Sequence, residues 1–206
     1  MDEVGALAKD LGIPIHIDGA RIMNACAALG VAPSVLTRHA ASVSVCLSKG
    51  LGAPVGSVIV ASADFIYHAH RLRKALGGQM RQGGVIAAPA LMALRDNAGR
   101  LTEDHANARR LGAQLGAIYG VQVDCDAIDS NIVVVDVSGL SAPPDAIVGE
   151  LKREGVLAGK LDARHLRVVT HLGIAEADVD KAAAIFCSVA AKCGTACNPN
   201  LPLPKC

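Results

Sequence analysis

The chain has 206 residues, of which 51% are hydrophobic, 19% are charged and only 2% are aromatic. This composition is typical of a globular protein with an aliphatic core and excludes a disordered chain. The formal net charge of +1 gives no electrostatic reason to expect nucleic acid or an anionic membrane as a partner.

The apolar runs are all shorter than the roughly 18 to 20 residues that a membrane span needs. The first residues mix acidic and basic side chains with alanine and leucine, a pattern of neither a secretory signal nor a transit peptide. Seven cysteines lie mostly in apolar segments, which favours buried free thiols in a reducing compartment. We therefore predict a soluble, cytoplasmic protein.

Hydrophobic periodicity predicts alternating helices and strands along most of the chain. A helix closed by Gly12 leads into a strand over 13–17, and a buried strand over 41–47 is expected to pair with 56–61 as a hairpin. Further strands are predicted over 121–123, 132–137 and 166–170, and further helices over 21–29, 31–39, 63–76, 85–97, 101–118, 144–154 and 175–192. The helix over 101–118 is polar at first and apolar later, as expected of a connector between two domains.

Polar residues stand at the end of the strand predicted over 13–17. Because side chains alternate along a strand, His16 and Asp18 are expected to project to the same side. Asp18 then lies at the carboxyl end of the strand, where α/β sheets commonly bind ligands. A helix N-cap ahead of Arg21 is an equally good interpretation of Asp18 taken alone.

Lys49 is the most informative residue of the sequence. An uncharged, β-branched run over 43–47 delivers it into a glycine-rich turn over 50–56. A cation is costly there unless it is paired or covalently used, so the placement indicates a Schiff-base lysine. The glycines would let a planar ring and its phosphate approach the backbone, and Ser48 could donate to that phosphate. A surface lysine at a strand end is the alternative.

Asp18 and Lys49 together have the character of the two anchors of a pyridoxal phosphate (PLP) enzyme. The lysine would bind the cofactor aldehyde, and the carboxylate would pair with the pyridine nitrogen. Their spacing is also what two neighbouring strands linked by helices require.

Four motifs resemble those of low-specificity L-threonine aldolases, which are PLP-dependent lyases of fold type I. They are HIDGAR at 16–21, SVCLSKGLGAPVGS at 44–57, LRKALGGQMRQ at 72–82 and RVVTH at 167–171. The first two motifs in tandem are highly specific. The resemblance implies a partial α/β fold of aspartate aminotransferase type. Residues 1–105 would be the C-terminal part of the PLP-binding large domain, 106–193 the small C-terminal α/β domain, and 194–206 a flexible tail.

The resemblance also implies a role for each matching residue. Lys49 would bind PLP covalently, Asp18 would keep the pyridine nitrogen protonated, and Ser48 would be a further cofactor contact. Arg21 matches an arginine near the cofactor and the substrate carboxylate, and Arg167 matches the small-domain arginine that clamps this carboxylate. The implied reaction is retro-aldol cleavage of L-threonine or L-allo-threonine to glycine and acetaldehyde.

Other candidate residues carry weaker signals. By the same resemblance, Lys74 and Arg81 would approach the active site of a neighbouring subunit in a homo-oligomer, although a solvated helix face explains them almost as well. His171 is interpreted equally well as a structural or a catalytic histidine, and His105 is predicted at the surface. No metal site is predicted, because the cysteines offer a single C-x3-C pair with no histidine after it.

Members of the resembled family are considerably longer at the amino end, where they carry phosphate contacts and the usual candidate for the hydroxyl base. The chain is therefore interpreted as an N-terminally truncated form. One alternative is a β-eliminating PLP lyase on the same fold, which would use Lys49 and Asp18 identically. The other is a truncated, inactive remnant or a subunit-interaction protein.

Overall fold

The computed structural model describes residues 1–194. The chain divides into two compact units, unit 1 at Met1–Leu101 and unit 2 at Thr102–Cys206. Apart from Gly194, the predicted tail lies outside the described residues, and the boundary predicted between residues 105 and 106 stays a prediction. Up to Gly194, none of the helices is long and apolar enough to cross a membrane.

Unit 1 is built on a three-stranded sheet of mixed direction. Its strands are β1 (Ile15–Gly19), β2 (Ala40–Cys46) and β3 (Ser57–Ala61), in the order β1-β2-β3, with β1 parallel and β3 antiparallel to β2. Its helices are α1 (Asp2–Asp10), α2 (Ile22–Leu29), α3 (Pro33–Thr37), α4 (Ala63–Ala75) and α5 (Gly84–Asn97). The antiparallel β2–β3 pair confirms the predicted hairpin.

Local signals set the helix ends that precede β2. Gly12, with φ of 66°, follows α1, as its position in the sequence predicts. Helix α3 is shorter than the predicted span of 31–39, because the N–H of Val31 bonds the carbonyl of Cys26 at 3.1 Å and so belongs to the end of α2. Pro33 then starts α3, where its fixed φ suits a first turn.

The buried apolar side chains of unit 1 form two small groups. One group joins β2 to α2 and consists of Ile22, Cys26 and Val43. The other lies around the turn after β2 and consists of Leu47, Leu51, Ala53, Ala90, Ala93 and Leu101. The second group therefore packs α5 and the first residue of the next helix against the segment that carries Lys49.

Unit 2 contains an antiparallel sheet and long helices. Helix α6 (Leu101–Gly116) leads into it, followed by β4 (Ile132–Asp136), α7 (Pro144–Arg153), β5 (Gly159–Lys160), β6 (His165–Val169) and α8 (Glu176–Cys193), with strand order β4-β6-β5. Its largest fully buried apolar side chains are Leu115, Ile147, Leu151, Leu166, Val133, Val135, Val137, Val179 and Val189. These residues alternate along the strands and recur at helical spacing, so the predicted pattern marks the core.

Unit 2 differs from the predictions in three places. The first predicted strand is only an isolated bridge between Gln122 and Asp136, because the chain turns into a 3-10 helix at Cys125–Ala127. Strand β5 has two residues, too few to leave a periodic pattern. His105, predicted at the surface, is only 2% exposed; burial, followed by the charge of Arg109, lowers the pKa of its imidazole.

Candidate active site

The parallel pairing of β1 and β2 places the strand that carries Asp18 beside the strand that precedes Lys49. Asp18 lies opposite Ser44, and Gly19 lies opposite Val45. Lys49 follows shortly after the end of β2. Since parallel strands end at a common edge, Asp18 and the turn that follows β2 both start from the edge where α/β sheets bind ligands.

Asp18 is exposed near the end of β1. Its Oδ1 accepts a hydrogen bond of 3.1 Å from the backbone N–H of Ala20, which is an Asx turn. Helix α2 begins at Ile22 with Arg21 as its N-cap. The interpretation of Asp18 as a helix N-cap is therefore wrong, and the carboxylate lies on the strand itself.

Lys49 lies in a tight turn that is held from two directions. The backbone N–H of Gly52 donates to the carbonyl of Lys49 at 2.8 Å. The side-chain amide of Asn97, at the end of α5, donates to the carbonyl of Leu51 at 2.7 Å. The Lys49 side chain is exposed and makes no hydrogen bond or ion pair with any residue that the structure describes. Hydrogen bonds therefore fix the backbone of the turn, while the Lys49 amine stays available to bind a ligand.

Glycine is favoured at two positions of this turn for different steric reasons. Gly50 is buried, and a Cβ there would lie 3.0 Å from Leu101 Cδ2 and 3.3 Å from Asn24 Oδ1. Gly52 has φ of 76°, a region that residues with a side chain adopt only at a cost. The glycine-rich pattern therefore serves both close packing and backbone conformation.

One face of the β1–β2 pair carries polar side chains up to the position of Asp18. His16 Nδ1 lies 2.8 Å from Ser42 Oγ across the β1–β2 pair. Because side chains alternate, Asp18 and Ser44 share this face, while Val43 faces α2 in the buried group. The predicted common side of His16 and Asp18 thus extends onto the neighbouring strand.

Cys46 is a further neighbour of Lys49, and no motif predicted a role for it. Its Sγ lies 3.5 Å from Ser48 Oγ. Burial acts to raise the pKa of the thiol, but hydrogen bonds with Ser48 and Ser57 and the charge of Lys49 outweigh it and hold the pKa below its ordinary value. The sequence feature that could have identified Cys46 is its position as the last residue of the strand before Lys49.

The other basic candidates of unit 1 lie at different places. Arg21 is half-buried at the start of α2. Lys74 lies in the last turn of α4, and Arg81 lies between α4 and α5; both are exposed. Their approach to a neighbouring subunit stays a prediction.

Arg167 and His171 belong to unit 2. Arg167 lies on β6 opposite Val134 of β4 and Gly159 of β5, with an exposed side chain. His171 Nδ1 lies 2.8 Å from the carbonyl oxygen of Leu172, a contact that favours the structural interpretation of this histidine. The role of Arg167 as a carboxylate clamp stays a prediction.

Within residues 1–194, no group of three or more histidine, cysteine and acidic side chains is placed to hold a metal ion. Among the cysteines that the structure describes, the free thiols are Cys26, Cys46, Cys187 and Cys193. Cys125 is disulfide-bonded, so the prediction of free thiols is wrong for that residue. Cys197, the second member of the C-x3-C pair, lies outside the described residues.

Comparison with known proteins connects this site to a family. Residues 1–138 match the model described as Beta-eliminating lyase. The chain is 44% identical over 179 residues to the low-specificity L-threonine aldolase 1 of Arabidopsis thaliana, with 86% of this chain and 50% of that protein covered. It spans about half the length of the curated relatives it matches.

Solved structures establish the fold. The threonine aldolase of Leishmania major matches with a TM-score of 0.68 at 17% identity, covering 91% of this chain and 55% of that chain. SPT, solved with its PLP internal aldimine, matches with a TM-score of 0.66 at 22% identity, covering 93% and 50%. The predicted partial α/β fold of aspartate aminotransferase type is confirmed. By the match over residues 1–138, the chain belongs to the beta-eliminating lyase family.

Proposed function

We propose that this chain carries the cofactor anchor of a PLP-dependent carbon–carbon lyase of the threonine aldolase type. The reaction is cleavage of L-threonine or L-allo-threonine to glycine and acetaldehyde. One observation supports this above the others: β1, which carries Asp18, pairs in parallel with β2, the strand that Lys49 follows, in a chain 44% identical to a threonine aldolase.

The residues at this edge fit PLP by their chemistry. Lys49 offers an exposed primary amine and would hold the cofactor covalently. The Asp18 carboxylate, with one oxygen engaged by Ala20, keeps the other for a pyridine N–H. The exposed hydroxyl of Ser48 would donate to the phosphate. When bound, PLP supplies an electron sink for the pair of electrons that the broken Cα–Cβ bond releases.

The arginines would bind and orient the substrate. Arg21 and Arg167 are guanidinium groups suited to bidentate hydrogen bonds with a carboxylate. Holding the carboxylate fixes the rotation of the amino acid and selects which bond at Cα is cleaved. Lys74 and Arg81 would face the neighbouring subunit of a cytoplasmic homo-oligomer.

A second candidate is β-elimination on the same residues. It is favoured by the family model that matches residues 1–138. Lys49 and Asp18 would have the same roles, but a bond between Cβ and a heteroatom would break. The products would then be ammonia and a keto acid rather than glycine and an aldehyde.

Covalent labelling tests the cofactor anchor. The full chain is incubated with PLP, reduced with borohydride to make the PLP–lysine link permanent, and mapped by peptide mass. We expect label at Lys49, loss of that label in Lys49→Ala, and unchanged label in Lys9→Ala, another exposed lysine of unit 1. Equal labelling of wild type and Lys49→Ala would overturn the proposal.

Product analysis separates the reactions. With L-allo-threonine, acetaldehyde without ammonia supports aldol cleavage, whereas ammonia with a keto acid supports β-elimination. Absence of both products, with Lys49 labelled, would identify a chain that binds the cofactor without turnover, the inactive remnant or subunit-interaction alternative.

A further inference from the structure

We infer that Asn97 is a positioning residue for Lys49. The inference rests on the proposed function of Lys49 as the PLP anchor. Asn97 is the last residue of α5, and its Nδ2 donates to the carbonyl of Leu51 at 2.7 Å. A partly buried hydrogen bond thus joins a helix end to the turn that presents the lysine.

The turn needs such an external contact. Gly50 and Gly52 are conformationally permissive, so their intrinsic preferences do not fix one turn geometry. Two backbone bonds close the turn, from Gly52 N–H to the Lys49 carbonyl at 2.8 Å and from Ala53 N–H to the Leu47 carbonyl at 2.9 Å. Neither of them engages Leu51, which lies between.

The Leu51 carbonyl belongs to a residue that is only 3% exposed. A buried carbonyl that loses its donor is costly, so the Asn97 bond favours this turn over alternatives that would leave the carbonyl unpaired. Leu51 packs in the same buried group as Ala90 and Ala93 of α5. The amide and the apolar contacts therefore hold the turn against one helix.

A purely helix-capping role does not describe Asn97. Its backbone carbonyl already accepts the N–H of Arg100 at 3.3 Å at the end of α5. The side chain, by contrast, reaches a carbonyl 46 positions away in the sequence. Its donor is directed at the lysine turn rather than at its own helix.

An isosteric change isolates this donor. Asn97→Asp keeps the shape but places a carboxylate oxygen against the Leu51 carbonyl. Asn107→Asp is the matched control, because Asn107 Nδ2 donates to the carbonyl of Ile174 at 2.9 Å within unit 2. Asn97→Ala provides a second variant that removes the donor without adding repulsion.

The measurements use the full chain, well below its unfolding midpoint. We expect Asn97→Asp to speed amide hydrogen exchange at Gly52 and Ala53 by about three- to tenfold, the effect of one lost hydrogen bond. Borohydride-trapped PLP labelling of Lys49 should slow in the same variant. Asn97→Ala should act in the same direction, and Asn107→Asp should leave both readouts at their wild-type values.

The outcomes distinguish the two claims. If wild type is labelled at Lys49 and both Asn97 variants match it in exchange and in labelling, the positioning role is overturned. If Asn107→Asp changes both readouts as much as Asn97→Asp does, the effect is general stability, which also overturns the role. If wild type is not labelled at Lys49, the proposed function fails, and the positioning role fails with it.

Discussion

The two units each contain a three-stranded sheet, yet they bury apolar side chains to very different extents. In unit 2, Val133 of β4 and Leu166 of β6 are completely buried. In unit 1, Val58, Ile59 and Val60 of β3 are 43%, 48% and 58% exposed. Since side chains alternate along a strand, three consecutive exposed residues mean that unit 1 covers neither face of this edge strand.

Helix α4 shows the same contrast. It has no buried residue, and Phe65, Tyr67 and Leu72 are exposed apolar side chains along it. Asp18 and Lys49 therefore belong to the unit with the smaller core. Its geometry depends on a few local contacts around Lys49 rather than on a large surrounding core, and such regions are the ones that open most readily.

The largest effect that the comparison predicts comes from the core of unit 2. Leu166→Ala should lower the free energy of unfolding of unit 2 by about 2–5 kcal/mol, through lost burial and the cavity left behind. Leu72→Ala, at a leucine of unit 1 that is 63% exposed, should change the free energy of unfolding by about 0.5 kcal/mol or less. Urea unfolding of the full chain, followed by amide exchange, measures each unit. Equal losses of unfolding free energy in the two variants would show that the difference in side-chain exposure does not make the two units respond differently.

The second prediction asks whether the turn that carries Lys49 is tightly packed despite the small core of unit 1. Gly50→Ala should cost about 1–3 kcal/mol, because the added methyl group meets Leu101 and Asn24. Gly149→Ala is the matched change in α7, where no described atom lies within 4 Å of the added carbon apart from the adjacent residues and the backbone of the helix itself. It should stabilise unit 2 by about 0.5–1 kcal/mol, since alanine favours helix. Thermal and urea midpoints of Gly50→Ala that equal or exceed those of wild type would contradict close packing at Gly50.

The sequence was informative where the signal is local. The strand patterns around Asp18 and Lys49 predicted neighbouring strands, and β1 and β2 pair as expected. The bond from Asn97 to Leu51 joins distant segments, so no spacing rule could reveal it. His105 is polar, but the position of α6 in the core decides its burial. Tertiary contacts of this kind override the preference of a single residue type.

The smallest predicted effect concerns the ion pairs that lie within each unit. Asp180 of α8 accepts hydrogen bonds from Arg110 Nε and Nη2, both at 2.8 Å, and from Gln114 Nε2 at 2.6 Å. These bonds, with that of Arg110 the largest, lower the pKa of Asp180 to about 2. In unit 1, Asp96 instead pairs with the adjacent residue Arg95, a contact that the unfolded chain can also form.

The sign of the pH dependence follows from the lowered pKa. An aspartate of the unfolded chain titrates near 3.9, so the stabilisation from Asp180 is complete above about pH 4 and is lost as pH falls towards 2. Asp180→Asn should therefore have a lower urea midpoint than wild type at pH 7, and the two midpoints should converge between about pH 4 and 2. Asp96→Asn, the matched control, should follow wild type throughout because its partner is adjacent in the chain. A constant difference between wild type and Asp180→Asn down to pH 2 would show that the Arg110 pair does not link α8 to α6 through the charge of Asp180.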